Sequence, residues 1–172
     1  CIRDRFSSFR TLVLAMVCSL AGMAGQAEEA GEATLIIDEK SYHFALDAMQ
    51  SDWSGSADSG SVNIYLRGAD DETRAVFLNL SIGFTFFGGQ SDAVEIQMMS
   101  KSSDGEILRL FGDPATSVVD VQADTFAASG NELTVEGQLS TTLGTSENFG
   151  RDIDLSNPLS ASGVFSVTLG PV

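Results

Sequence analysis

Short segments in which every second residue is hydrophobic recur along the chain from residue 33 onwards. In segment 61–68, SVNIYLRG, the apolar residues Val62, Ile64 and Leu66 share one face of an extended chain. Turn residues separate such segments at intervals of roughly 8–14 residues, and no long stretch keeps the period of an α-helix. A segment with this pattern buries its apolar face only by pairing into a sheet. We therefore predict an all-β, antiparallel β-sandwich or barrel, Greek-key-like, with about nine strands.

The predicted strands differ in length, and we expect the first hairpin to lie near the last strand. The longest apolar segment is interrupted at Gly83 and forms either one bent strand or two, because an interior glycine often marks a β-bulge. The predicted strands cover residues 33–38, 41–46, 61–68, 74–87, 93–99, 106–111, 117–126, 132–143 and 163–170.

The N-terminal segment has the pattern of a secretory signal peptide. A start with three arginines is followed by an apolar run and then by small residues that end at Ala27. The apolar run is short for a membrane span, which needs roughly 20 residues, although an uncleaved anchor is the alternative. We predict a signal peptide at 1–27, a flexible acidic leader at 28–32 and a single β domain at 33–172, in a secreted or periplasmic bacterial protein.

The charge balance is strongly acidic. The chain has 9 basic and 24 acidic residues and a net charge of −15, and removal of the signal peptide leaves a net charge of about −17. This charge repels nucleic acids and anionic lipids, so we predict no nucleic-acid partner and no membrane insertion after cleavage. It favours a cationic or basic partner, or it simply keeps an exported protein dispersed.

Two aromatic residues in polar surroundings are the candidate ligand-binding residues. Trp53, beside Asp52, lies in a predicted polar loop at 50–60, and Phe149 lies in the longest predicted loop, at 144–162. Loop aromatics stack on sugar rings or anchor protein partners. The alternative for Trp53 is that its side chain packs over the edge of the core.

Catalytic patterns are weak in this sequence. The only histidine, His43, lies in a predicted strand on the side opposite Tyr42 and Phe44, and the chain has no Gly-x-Ser-x-Gly elbow. Both cysteines lie in the predicted signal peptide, which excludes a disulfide in the mature domain and makes a zinc site improbable. We predict that the protein is not an enzyme, with a hydrolase that uses paired carboxylates as a minor alternative.

The turn ADDET at 69–73 is the candidate metal site. Asp70, Asp71 and Glu72 offer the oxygen ligands that calcium prefers, although their spacing does not match an EF-hand. The alternative is a solvated acidic turn. Apart from calcium at these residues, no cofactor is predicted.

Four segments resemble the mycobacterial lipoprotein-antigen family of small exported β-sheet proteins. They are TLIIDEKSY at 34–42, GSVNIYLRG at 60–68, GNELTVEGQLSTT at 130–142 and GVFSVTL at 163–169. The chain departs from the family at Glu39, where the family turn prefers glycine, and it lacks the family's lipid-bearing and terminal cysteines. The resemblance implies a similar exported β domain and carries over no catalytic residues.

We therefore expect an exported, non-enzymatic β-sheet module, a surface or periplasmic protein that binds a partner or has a structural role. The partner would be a protein or a glycan. The alternative is a carbohydrate-binding domain or a calcium-assisted adhesion domain.

Overall fold

The structure is a computed structural model that describes residues 30–172. The predicted signal peptide at 1–27 lies outside the described residues. Within them the chain forms ten strands, one α-helix, and a 3₁₀ turn at Ala48–Gln50. The elements are β1 (Gly31–Ile37), β2 (Lys40–Leu46), β3 (Asp52–Ser56), β4 (Ser59–Gly68), α1 (Asp71–Val76), β5 (Phe77–Phe87), β6 (Gln90–Lys101), β7 (Ile107–Gly112), β8 (Val119–Ser129), β9 (Glu132–Thr145) and β10 (Asp154–Leu169).

The strands form one antiparallel sheet that closes on itself. Its order is β10-β1-β2-β4-β5-β6-β7-β9, and β9 pairs in turn with β10. β8 pairs with β9, whereas β3 pairs with β4 and also forms a parallel bridge from Trp53 to Pro171. The predicted all-β antiparallel class is therefore confirmed, and so is the position of the first hairpin, since β1 pairs with β10. Around the closed sheet of residues 30–172 the strands follow chain order, so closure uses no Greek-key crossover of the kind expected.

Two short pairings divide the closed sheet into halves. β2 pairs with β4 at three positions, and β7 pairs with β9 at two. We name the strands β3 to β7 the front half, and the strands β8 to β10 with β1 and β2 the back half. One hydrophobic cluster with members from both halves fills the space between them.

The core follows from the period-two pattern. In β5, every second residue from Leu80 to Phe86 is at most 3% exposed. Aromatic contacts link the halves: Tyr42 meets Phe77 edge to face at 4.7 Å between ring centroids, and Phe86 stacks on Phe126 at 4.5 Å. Each fully buried side chain of this size contributes about 1.5–3 kcal/mol, so the alternation holds the two halves together.

The polar segment 50–60 is a strand and a turn rather than the predicted loop. β3 pairs with β4, which places Trp53 opposite Val62, and both side chains are buried. The serines and glycines around Trp53 hide the strand from a sequence pattern, because only one of its residues is large and apolar.

Several predicted strand boundaries also differ from those in the structure. Residues 74–76, predicted as strand, belong to α1, because Asp70 caps a helix that starts with two acidic residues. β10 begins at Asp154, inside the predicted loop 144–162, and it bulges away from β9 between Asp154 and Leu159, where apolar alternation is lost. β1 begins at Gly31, inside the predicted leader.

The expected irregularity at Gly83 is present, but the extra residue lies on the neighbouring strand. The register between β5 and β6 shifts between Gly83 and Thr85, and β6 carries Ala93 there with a φ of 49°. β5 is thus one strand, with glycine opposite the bulge.

No helix within residues 30–172 is long and apolar enough to cross a bilayer.

Candidate functional site

A cleft of about 270 Å³ lies on the outer face of the front half. Strand register builds its floor, because Gly83 pairs with Asn63 on one side and with Glu95 on the other. A Cβ atom at Gly83 would meet no atom within 4 Å, so the missing side chain leaves the floor open. The lining residues are Asn63, Ser81, Gly83, Glu95, Ile96, Gln97, Phe111, Gly112, Asp113, Phe149, Gly150 and Ile153.

The wall of the cleft is an exposed aromatic residue on the loop between β9 and β10. Phe149 is 76% exposed and adopts a φ of 61°, a left-handed conformation that is rare for a bulky residue. The guanidinium of Arg109 lies 5.5 Å from the centroid of the Phe149 ring. Arg109 does not line the cleft. Its guanidinium therefore contacts the Phe149 ring from outside the cleft, through a cation–π interaction.

Hydrogen bonds within the loop fix this wall. The Ser146 hydroxyl oxygen accepts the amide of Gly150 at 2.8 Å, and the Asn148 side-chain carbonyl accepts the amide of Asp152 at 2.9 Å. Gly150 has a φ of 85° and lies against the ring of Phe111, where an added Cβ would come within 2.9 Å of the ring. The loop is therefore seated on the sheet through Phe111, a buried aromatic on the outer face of β7.

The cleft combines polar groups with aromatic surface. Its amides, hydroxyl and carboxylates come from Asn63, Ser81, Gln97, Glu95 and Asp113, and no lysine, arginine or histidine is among the described residues that line it. Such a lining donates and accepts hydrogen bonds around a ring-shaped polar ligand while an aromatic face packs on it.

The two predicted contact aromatics lie apart. Phe149 lines the cleft, whereas Trp53 is 7% exposed and donates from its indole nitrogen to the carbonyl of Asn131 at 3.0 Å. The core-edge alternative therefore describes the position of Trp53. Asp52 is half-buried and pairs across the strands with Asn63, so it flanks the cleft without lining it.

The predicted metal residues form the start of α1. The Asp70 carboxylate accepts the amide of Thr73 at 2.7 Å, and this hydrogen bond is the main reason that the pKa of Asp70 lies below its ordinary value. Asp71 pairs with Arg74 at 2.8 Å, and Glu72 is exposed. No group of three or more His, Cys, Asp or Glu side chains in the described part of the chain is placed to hold an ion.

His43 lies on the outer side of β2, as predicted. It is exposed, and its Nδ1 is 3.2 Å from the Thr34 hydroxyl. It belongs to the back half of the sheet and does not line the cleft.

Sequence patterns missed most of the cleft. Asn63 alternates with the apolar residues of segment 61–68 and so lies on its polar face, but Glu95, Gln97 and Ser81 belong to no sequence motif. The one available signal was the interior glycine, Gly83, which removes a side chain from the middle of a polar outer face.

Comparisons with known proteins give no relative for the chain. No family model matches it, and neither a curated protein nor a solved structure does so. The resemblance to the mycobacterial lipoprotein-antigen family stays a prediction. Any function must therefore be inferred from the geometry of the cleft.

Proposed function

We propose that the chain is an exported, non-enzymatic binding module that holds a saccharide in the cleft beside Phe149. The observation that carries the proposal is Phe149 itself, an exposed aromatic fixed in a disfavoured conformation next to a polar floor. Strained residues concentrate at ligand sites, because the surrounding structure must stabilise a conformation that folding alone does not favour.

The chemistry of the lining supports a sugar over an apolar ligand. Sugars present hydroxyl groups at their edges and C–H groups on their faces, which match the amides of Asn63 and Gln97 and the ring of Phe149 respectively. The volume of about 270 Å³ is slightly below the roughly 300–1,000 Å³ of pockets for drug-sized ligands, which suits one or two sugar rings.

The positions of the reactive side chains also favour a binding role over a catalytic one. Ser81 is the hydroxyl nucleophile among the lining residues, and the histidine that could activate it lies on the back half of the sheet. Hydrolysis through Glu95 and Asp113 is the competing hypothesis, and incubation with a tetrasaccharide tests it by whether the sugar is cleaved.

Calorimetric titration with glucose and N-acetylglucosamine tetramers tests the proposal. We expect Phe149→Ala to weaken binding about fivefold, because stacking on an aromatic is worth about 1 kcal/mol. Gly83→Val should fill the floor and abolish binding while leaving the fold intact, since the site has free space and a strand accepts valine.

Phe87→Ala is the matched control for Phe149→Ala. Phe87 is 79% exposed, close to the 76% of Phe149, but it lies at the end of β5 and does not line the cleft. Equal loss of affinity in both variants, or no binding of any tetrasaccharide, neutral or charged, would overturn the proposal.

Calcium-assisted adhesion is the alternative that the sequence suggested, and a separate experiment tests it. Asp70 is engaged in helix capping and Asp71 in an ion pair, so neither is free of protein partners. A thermal melt with millimolar calcium and then with chelator measures the linkage, because a bound ion raises the melting temperature. We expect no shift, and a rise of several degrees would restore the calcium hypothesis.

A further inference from the structure

We infer that the saccharide bound in this cleft carries an amine, so that the ligand is a cationic amino sugar recognised by Glu95. The inference rests on the proposed function, because it names the class of sugar that the same cleft selects.

The charge of the lining points to a cation. Glu95 and Asp113 contribute two carboxylates, and no basic side chain of residues 30–172 lines the cleft. A neutral ligand would leave both carboxylates without an ionic partner, whereas an ammonium group forms a charge-assisted hydrogen bond with either.

The loop above the cleft adds acidic charge. A second depression at this loop is lined by Glu147, Asp152 and Asp154, and the basic residue within the loop is Arg151. Because the whole chain is also acidic, a cationic ligand is attracted before contact and a polyanionic sugar is repelled.

Glu95 is better placed than Asp113 to meet an amine. One Asp113 oxygen already accepts the amide of Ala115 at 2.7 Å, which ties this carboxylate to its own turn. Glu95 is exposed on β6, paired with Gly83 at the open floor of the cleft. Glu95 and Phe149 line the same cleft, so a sugar ring that stacks on Phe149 lies in the same space as this carboxylate.

The experiment compares three tetramers of matched ring size: glucose, N-acetylglucosamine and glucosamine. Titration at mildly acidic pH keeps the glucosamine amine protonated. We expect the wild-type protein to bind the glucosamine tetramer about tenfold more tightly than either neutral tetramer, which is the usual strength of a charge-assisted hydrogen bond at a partly exposed site. Glu95→Gln should remove this preference, so that the glucosamine tetramer binds no more tightly than the two neutral tetramers.

Glu136→Gln is the matched control, because it makes the same change of charge on an exposed strand position of the back half. Loss of the preference in Glu95→Gln alone supports the inference. Equal loss in Glu136→Gln would assign the preference to the net charge of the protein and overturn it. Binding of neutral tetramers with no preference for glucosamine would overturn the inference and leave the proposed function standing, whereas no binding of any tetramer would overturn both.

Discussion

Phe149 holds a backbone conformation that a phenylalanine adopts at a cost of about 1–2 kcal/mol. Its exposure was predictable, because it lies among polar and small residues between two strands. Its strain was not, since the sequence around it has no turn motif that demands a positive φ at this position. Instead, the positive φ of Phe149 is stabilised by the hydrogen bonds that Ser146 makes within the loop.

Phe149→Gly should separate stability from binding. Glycine tolerates a positive φ, so we expect the melting temperature to stay the same or rise by a few degrees while saccharide binding weakens as it does in Phe149→Ala. Phe149→Ala, which keeps the strain, should not gain stability. A Phe149→Gly protein that melts well below the wild type would show that the phenyl ring contributes more to stability than its conformation costs.

The ion pair of Asp47 and Arg67 gives a pH dependence. The Arg67 Nε lies 2.6 Å from the Asp47 carboxylate and is the main cause that holds the pKa of Asp47 below its ordinary value of 3.8. The folded protein therefore binds fewer protons here than the unfolded chain, so the stabilisation is present above that value and is lost as pH falls through the lowered pKa. Because Arg67 is largely exposed, the effect is small.

We expect Asp47→Asn to melt slightly below the wild type at neutral pH, with the gap closing as the pH falls below 3.8. Melting curves of both proteins across acidic pH measure this gap. A gap that is constant with pH would mean that the ion pair does not contribute to stability.

Thr141 is a buried polar residue whose hydroxyl has no hydrogen-bond partner within the described part of the chain. It is 2% exposed, and such a group carries a desolvation cost of about 1–3 kcal/mol. We expect Thr141→Val to raise the melting temperature by a few degrees, and Val135→Thr, the reverse change on the same strand, to lower it. A lower melting temperature for Thr141→Val would indicate a bound water at the hydroxyl.

At the scale of elements, the hairpin of β1 and β2 was predicted correctly, but its turn was not. Asp38 and Glu39 both have positive φ, 48° and 65°, as in a type I′ turn, which favours Asn-Gly. The hairpin therefore forms because burial of its alternating apolar residues stabilises it by more than the unfavourable turn residues destabilise it. Glu39→Gly should raise the melting temperature by a few degrees, whereas Lys40→Gly, which puts the glycine at the first residue of β2, should lower it.

The elements that the sequence missed share one physical cause. β3 and the first part of β10 are polar on most of their length, so they lack the alternation that identifies a strand. They are held by their neighbours: β3 by β4, and β10 by a register that resumes at Leu159 after the bulge. Strands of this kind depend on tertiary pairing, which a single sequence does not reveal.

At the scale of the whole molecule, period-two alternation was sufficient to predict the class of fold, because it determines which residues face the core. It also predicted that outward residues are polar. It could not place Asn63, Gly83 and Glu95 in one row, since that row depends on the register of three strands and on the bulge at Ala93. The cleft is thus a product of pairing, and only its aromatic wall was visible in the sequence.

The central claim is that a saccharide occupies the cleft beside Phe149, and amide chemical-shift mapping during titration with the glucosamine tetramer tests it most directly. We predict saturating shifts confined to the cleft, at Gly83, Gln97 and Gly150 above all, with none on the back half of the sheet. Shifts that centre on the back half, for example at Ser162 and Val164, or no shifts at all, would contradict the claim.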